Sequence, residues 1–141
     1  MHVPIKVDYG VRALVDLAQH ANEGPVRAAE IARRQRIPEP FLERLLLTLS
    51  KEGLVRSLRG PQGGHVLGLD PEEITLARVM TVLGGAETMV GCLEDTDACL
   101  HVSACGQREI WKDLDEVIQR ILDSTTIAHI LQRTKGVPVP A

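Results

Sequence analysis

The chain has 141 residues, 44% of them hydrophobic, which suits one domain with its own core, or one domain plus an appended element. It shows no charged-then-apolar leader and no apolar run of about eighteen residues, so neither secretion nor a membrane span is expected, and the cytoplasm is the expected compartment. A net charge of −3 argues against a protein that coats nucleic acid, but the charges are unevenly placed. From Arg27 to His65, eight cations (Arg27, Arg33, Arg34, Arg36, Arg44, Lys51, Arg56, Arg59) stand against four Glu (Glu30, Glu39, Glu43, Glu52). This local excess of four positive charges leaves −7 for the remainder. A basic segment within an acidic chain is the footprint of a localised polyanion contact.

The first element is helical: in VDYGVRALVDLAQHA the apolar residues Val7, Val11, Leu14, Ala18 and Ala21 recur at three and four. Asn22-Glu23-Gly24-Pro25 breaks it. RAAEIARRQ predicts a short second helix, with Ala28, Ile31 and Ala32 on one side and Arg33 and Arg34 facing solvent, stopped at Arg36-Ile37-Pro38. PFLERLLLTLSKEG predicts a third, with Pro40 in its first turn, Phe41, Leu42, Leu45, Leu46 and Leu49 on its apolar face, and Gly53 as a left-handed C-cap. Two short helices about a tight turn predict a helix-turn-helix.

LVRSLRGPQGGHVLGL follows, where Leu54, Val55 and Leu58, then Val66, Leu67 and Leu69, flank Gly60-Pro61-Gln62-Gly63-Gly64. That pattern predicts a β-hairpin wing carrying Arg56 and Arg59. A phosphate loop is the weaker reading, since no Gly-Lys-Ser/Thr follows and no helix starts directly after the turn. Thr75 is the expected N-cap of the helix TLARVMTVLGG, which Gly84-Gly85 ends. Further on, GQREIWKDLDEVIQRILD aligns Ile110, Trp111, Leu114, Val117, Ile118, Ile121 and Leu122 in one stripe of about four turns, more than a small winged-helix core needs. It reads as a dimerisation helix, in keeping with paired readers on a palindromic operator, and a helix folded back onto its own domain is the alternative. A short helix is expected within Thr125–Thr134, then a flexible tail.

The expected fold is mostly α with a small β-hairpin wing: a winged helix-turn-helix over residues 1–84, a cysteine-bearing loop over 85–106, dimerisation and terminal helices over 107–134, and a tail over 135–141. A helix fits the major groove of duplex DNA, where base edges are distinguishable. The candidate contacts are Arg33, Arg34, Glu39, Phe41, Glu43 and Arg44 in the helix-turn-helix, and Arg56, Arg59, Gly60, Pro61, Gly63, Gly64 and His65 in the wing. Aromatic content of 2% provides no stacking platform for single strands, so the expected partner is double-stranded DNA. A winged helix used for protein contacts is the alternative. Without a C-x-x-C pair, a nucleotide-binding fingerprint or a Ser-His-Asp arrangement, an enzyme is not expected.

All three cysteines, Cys92, Cys99 and Cys105, fall in the stretch GCLEDTDACLHVSACGQREIW. In a reducing compartment three clustered thiols make a poor disulfide framework and a better metal, cluster or redox site. The spacing C-x6-C-x5-C is not that of a zinc ribbon, and thiolates are the ligands that iron-sulfur clusters take. Three alternatives stay open: a zinc site of three Cys completed by His101, metal-free thiol oxidation, and incidental buried thiols. His20 and His129 lie in helical patterns and read as surface or packing residues.

The run from Ala13 to Met80, then three cysteines, then an Ile110-Trp111 helix, resembles the bacterial iron-sulfur-linked winged-helix regulators of the IscR, NsrR and RirA type. The likeness covers residues 1 to about 134, and its most specific pieces are Arg59-Gly60-Pro61 with Gly63-Gly64, Phe41-Leu42-Glu43, and the cysteines. It implies a homodimeric transcription factor whose long helices cross between subunits and whose cysteines hold an iron-sulfur cluster, of the 4Fe-4S kind or, alternatively, 2Fe-2S. A cluster of four irons needs a fourth ligand. The IscR-like pattern places a His three residues after the last cysteine, where this chain has Arg108. The NsrR-like pattern uses an Asp at the start of the first helix of the other subunit, and Asp8 stands at that position. As a competing reading, Asp8 is a first-turn acid favoured by the helix dipole.

Overall fold

The computed structural model describes residues 2–84, 93, 97 and 104–134. Helix α1 spans Ile5–Gln19, two residues earlier at each end than the periodicity predicts, and a single 3-10 turn at Ala21–Glu23 carries the chain out of it. Its buried stripe comprises Val7, Gly10, Ala13, Leu14, Val15, Asp16 and Leu17. At Gly10 a β-carbon would overlap the Leu83 side chain, so the missing side chain lets α4 (Leu76–Leu83) lie against α1.

Helices α2 (Ala28–Gln35) and α3 (Glu39–Lys51) are joined by a turn in which Arg36 takes the left-handed conformation, φ 54°, and the Ile37 N–H bonds the Ala32 carbonyl at 3.0 Å. Pro38 and Pro40 start α3, because proline lacks only a donor that the first helical turn does not use. Leu42, Leu45, Leu46 and Leu49 bury its inner face against Ile31, Ile37 and Leu54 in the core. Gly53, at φ 80°, follows the end of α3 as the sequence predicts.

Strands β1 (Val55–Leu58) and β2 (Gly64–Leu67) form the predicted antiparallel hairpin, with Val55 opposite Leu67 and Leu58 opposite Gly64. Val26 adds a further rung: its N–H donates to the His65 carbonyl at 2.9 Å and its carbonyl accepts the His65 N–H at 2.7 Å. The segment ahead of α2 is thereby fastened to the wing.

Thr75 caps α4, its Oγ1 accepting the Arg78 N–H at 3.1 Å, a contact of about 1 kcal/mol. Helix α5 (Gly106–Ser124) packs beside α4 but buries none of its residues fully. Helix α6 (Ile127–Arg133) returns to α1, capped by Thr126 and His129 and anchored by the buried Ile127, whose N–H bonds the Ile74 carbonyl at 2.9 Å. This architecture agrees with the predicted fold class, mostly helical with one hairpin. Among the described residues, no helix is long and apolar enough to cross a membrane.

Candidate nucleic-acid interface and thiol site

Burial of its leucine face leaves α3 with an outward stripe of Pro40, Glu43, Arg44, Leu47, Thr48 and Lys51. Glu39 and Glu43 are exposed as expected; Leu47 and Lys51 share their surface but were not among the predicted contacts, although helical spacing from Glu43 and Arg44 marks both. Phe41 behaves differently. It is half-buried, meets Tyr9 of α1 edge-on with ring centroids 5.6 Å apart, and carries the Arg44 guanidinium over its ring at 5.6 Å. Its ring therefore packs α3 onto α1 and backs the Arg44 guanidinium.

Arg34 corrects a sequence expectation. Predicted to face solvent beside Arg33, it instead turns inward, its side chain only 13% exposed. Nε and an NH2 group donate to the two carboxylate oxygens of Asp16 at 2.9 and 2.6 Å, and Gln35 Nε2 adds a third bond at 3.0 Å. Asp16 is fully buried, and a buried carboxylate requires such a partner. The hydrogen bond to Asp16 is also the chief cause that holds the Arg34 guanidinium above its ordinary pKa, ahead of the opposing cost of burial. Arg33, the other residue of the pair, is exposed.

On the wing, Arg56 and Arg59 are exposed, and Gly60, at φ 108°, and Pro61 make the turn. A β-carbon on Gly63 would overlap the Leu58 carbonyl, so the hairpin closes only with glycine there. Gly64 begins β2 opposite Leu58. Arg27, just ahead of α2, donates to the Pro61 carbonyl at 2.7 Å and braces the wing tip; the basic segment contained this residue, but nothing in its spacing marked the brace. His65 is half-buried, with Nδ1 3.0 Å from Ser57 Oγ. Burial pushes its pKa below the ordinary imidazole value, opposed by the nearby Glu43 carboxylate.

Of the predicted cluster ligands, Cys92 and Cys99 lie outside the described residues, as does His101. Cys105 is a free, partly exposed thiol at the N-cap of α5. Asp8 sits in the first turn of α1, its side chain 40% exposed. Arg12 grips both of its oxygens, at 2.8 and 3.2 Å, and reaches the Gln35 carbonyl at the end of α2 at 3.4 Å. No three His, Cys, Asp or Glu side chains converge on a metal position among the described residues.

Residues 4–133 match the family model described as Rrf2, iron-dependent transcriptional regulator. The chain is 37% identical over 131 residues to the HTH-type transcriptional regulator IscR of Serratia proteamaculans, covering 93% of this chain and 79% of that protein. It is 35% identical over 136 residues to CymR of Bacillus subtilis, covering 96% and 94%. Among solved structures, that of CymR, the global cysteine regulator of B. subtilis, superposes with a TM-score of 0.82 over 96% of this chain and 99% of that one, at 33% identity. The T. potens IscR structure does so with a TM-score of 0.77 over 98% and 93%, at 35% identity. These relatives are transcriptional regulators and not enzymes, and their shared fold includes the helix-turn-helix and hairpin assembled above. The chain belongs to the Rrf2 family of transcriptional regulators.

Proposed function

We propose that the chain works as a homodimer that places α3 in the major groove of duplex DNA and its wing over the adjoining backbone, with an iron-sulfur cluster governing its affinity for a palindromic operator. Cys92, Cys99 and Cys105 supply the thiolates, and Asp8 of the opposite subunit is the fourth ligand. The observation that carries this reading is the donor set: three cysteines within fourteen residues of sequence, the last of them a free thiol at the head of α5, in a chain with an exposed carboxylate at the start of α1. The donors suit a cluster in kind, and a reducing cytoplasm is where such thiols persist. When bound, the cluster supplies sensitivity to oxygen, nitric oxide or iron supply.

The protein's own part is mechanical. Ile110, Leu114, Val117 and Ile121 stand 59%, 41%, 43% and 57% exposed on α5, an apolar stripe suited to a second copy of the same helix. Asp8 at the start of α1 in one subunit and the thiols ahead of α5 in the other would hold the cluster, and holding it in common would set the spacing of the two groove readers. Glu43 accepts from a cytosine amine and Arg44 donates to guanine, while Lys51, Arg56 and Arg59 meet phosphates. Three phosphates per protomer give a salt slope of about −5, so raising salt from about 50 to 200 mM weakens binding roughly a thousandfold. A flat salt response indicates a protein-contact winged helix instead.

Anaerobic purification with iron and sulfide analysis and a visible spectrum tests the cluster. Brown protein containing both elements is expected, and Asp8→Ala should alter its spectrum. A colourless dimer refutes the cluster. One observation favours a second reading, in which the thiols respond to oxidants without metal: both Asp8 oxygens are already held by Arg12. Under it, Asp8→Ala leaves sensing intact and the thiols are oxidised reversibly.

A further inference from the structure

We propose that Leu47 reads a thymine methyl group in each half-site, a specificity contact that rests on the DNA-binding reading above and refines it. On α3 the buried leucines define the core face, and Leu47 is on the opposite side, 57% exposed, between Glu43 and Arg44 on one flank and Thr48 and Lys51 on the other. Pro40, Glu43, Arg44 and Leu47 carry the spacing i, i+3, i+4, i+7, which a recognition helix lying along the major groove presents to successive base pairs. Three of the flanking side chains are charged and Thr48 is polar, so Leu47 is the large apolar group of that stripe.

The major groove offers such a side chain one methyl group, the C5-methyl of thymine; the rest of the base edges present hydrogen-bond donors and acceptors, with only ring C–H positions between them. Leu47 makes no hydrogen bond, and on the core side its helix is already packed by Leu42, Leu45, Leu46 and Leu49. Burying one methyl against it strengthens binding about fourfold per half-site, or about fifteenfold for the two half-sites of a dimer. Glu43 and Arg44 then read a C·G pair while Leu47 adds an adjoining T·A pair.

The test uses the full-length protein, with operators selected from randomised duplexes. In the selected site each thymine is replaced by deoxyuridine, which removes only the methyl. One symmetric pair of replacements should weaken the parent protein about fifteenfold and weaken Leu47→Ala less than twofold. Thermal unfolding of Leu47→Ala should match the parent, since the residue is exposed. The proposal is overturned if no replacement weakens the parent, if the same replacement weakens Leu47→Ala equally, or if the selected half-site lacks thymine. In each of those cases steep salt dependence can persist, leaving the DNA-binding reading standing; loss of duplex binding by the parent itself removes both.

Discussion

The buried fork between Arg34 and Asp16 makes a quantitative prediction that separates structure from DNA contact. In Arg34→Met the carboxylate of Asp16, with no exposed surface, loses its bonds at 2.6 and 2.9 Å and keeps only the Gln35 donor at 3.0 Å and the His20 ring 3.6 Å away. Stranding one member of a buried pair costs about 3–5 kcal/mol. With a urea dependence of about 2 kcal/mol/M, the unfolding midpoint should fall by about 2 M. Joining Asp16→Leu to Arg34→Met removes both charges, and the double variant should recover most or all of that loss, as buried pairs replaced by apolar groups commonly do. Urea titrations of the parent, both single variants and the double variant close the cycle. The salt slope for duplex binding adds a second readout: in the refolded double variant it should equal that of the parent. A loss below about 1 kcal/mol in Arg34→Met would refute the clamp, and a slope reduced by about one per protomer would return Arg34 to the phosphate contacts.

Placing a charge in the middle of the α5 stripe, as in Val117→Glu, should convert a dimer to a monomer in analytical ultracentrifugation and weaken operator binding at least tenfold. A dimer that survives the change rules out this face as its interface. For His65, burial lowers the folded pKa, so the unfolded chain binds more protons at pH values just below the free imidazole value. The stability this residue supports is complete above that value and is lost as pH falls through the folded one. Urea midpoints between about pH 5 and 7 should therefore rise with pH, less steeply in His65→Gln; identical slopes refute the assignment. Arg27→Ala should speed amide exchange at Gly63 in the wing turn with little change in global stability, since the brace to Pro61 is exposed. Unchanged exchange means that Arg27 does not hold the wing.

Much of the fold was legible because its local signals agree with its packing. Proline-started α3, glycine-rich wing and Thr75 cap all occur where residue chemistry demands them. What stayed hidden is long-range. Asp16 lies within an apolar stripe of α1, and its partner is eighteen residues away in sequence, so periodicity assigned Arg34 to solvent with no means of seeing the buried acid across the helix pair. Arg27 and Pro61 are separated by 34 residues, and the brace exists only because Val26 pairs with the returning strand at His65. Leu47 escaped the DNA-facing set for another reason: the periodicity already left it off the apolar face of α3, but the contacts were chosen mainly for charge and from the first turn, so an exposed leucine one turn further on was passed over.

Helix α1 bears on how a cluster would act on DNA. At one end Asp8 and Arg12 form an exposed pair, 40% and 44% accessible, and Arg12 touches α2 through one long bond of 3.4 Å. An exposed pair of this kind contributes about 0–1 kcal/mol, so ligation of Asp8 can take it apart at little cost. At the other end the Asp16 fork joins α1 to the end of α2, and breaking it strands a buried carboxylate at several times that cost. The disparity means that a change at Asp8 disturbs the weak link and leaves the buried joint between α1 and α2 in place. Under the proposed dimer, a cluster held by Asp8 of one subunit and the α5 head of the other would chiefly alter where each α3 stands, and hence the half-site separation accepted, while the bases each α3 prefers would stay the same.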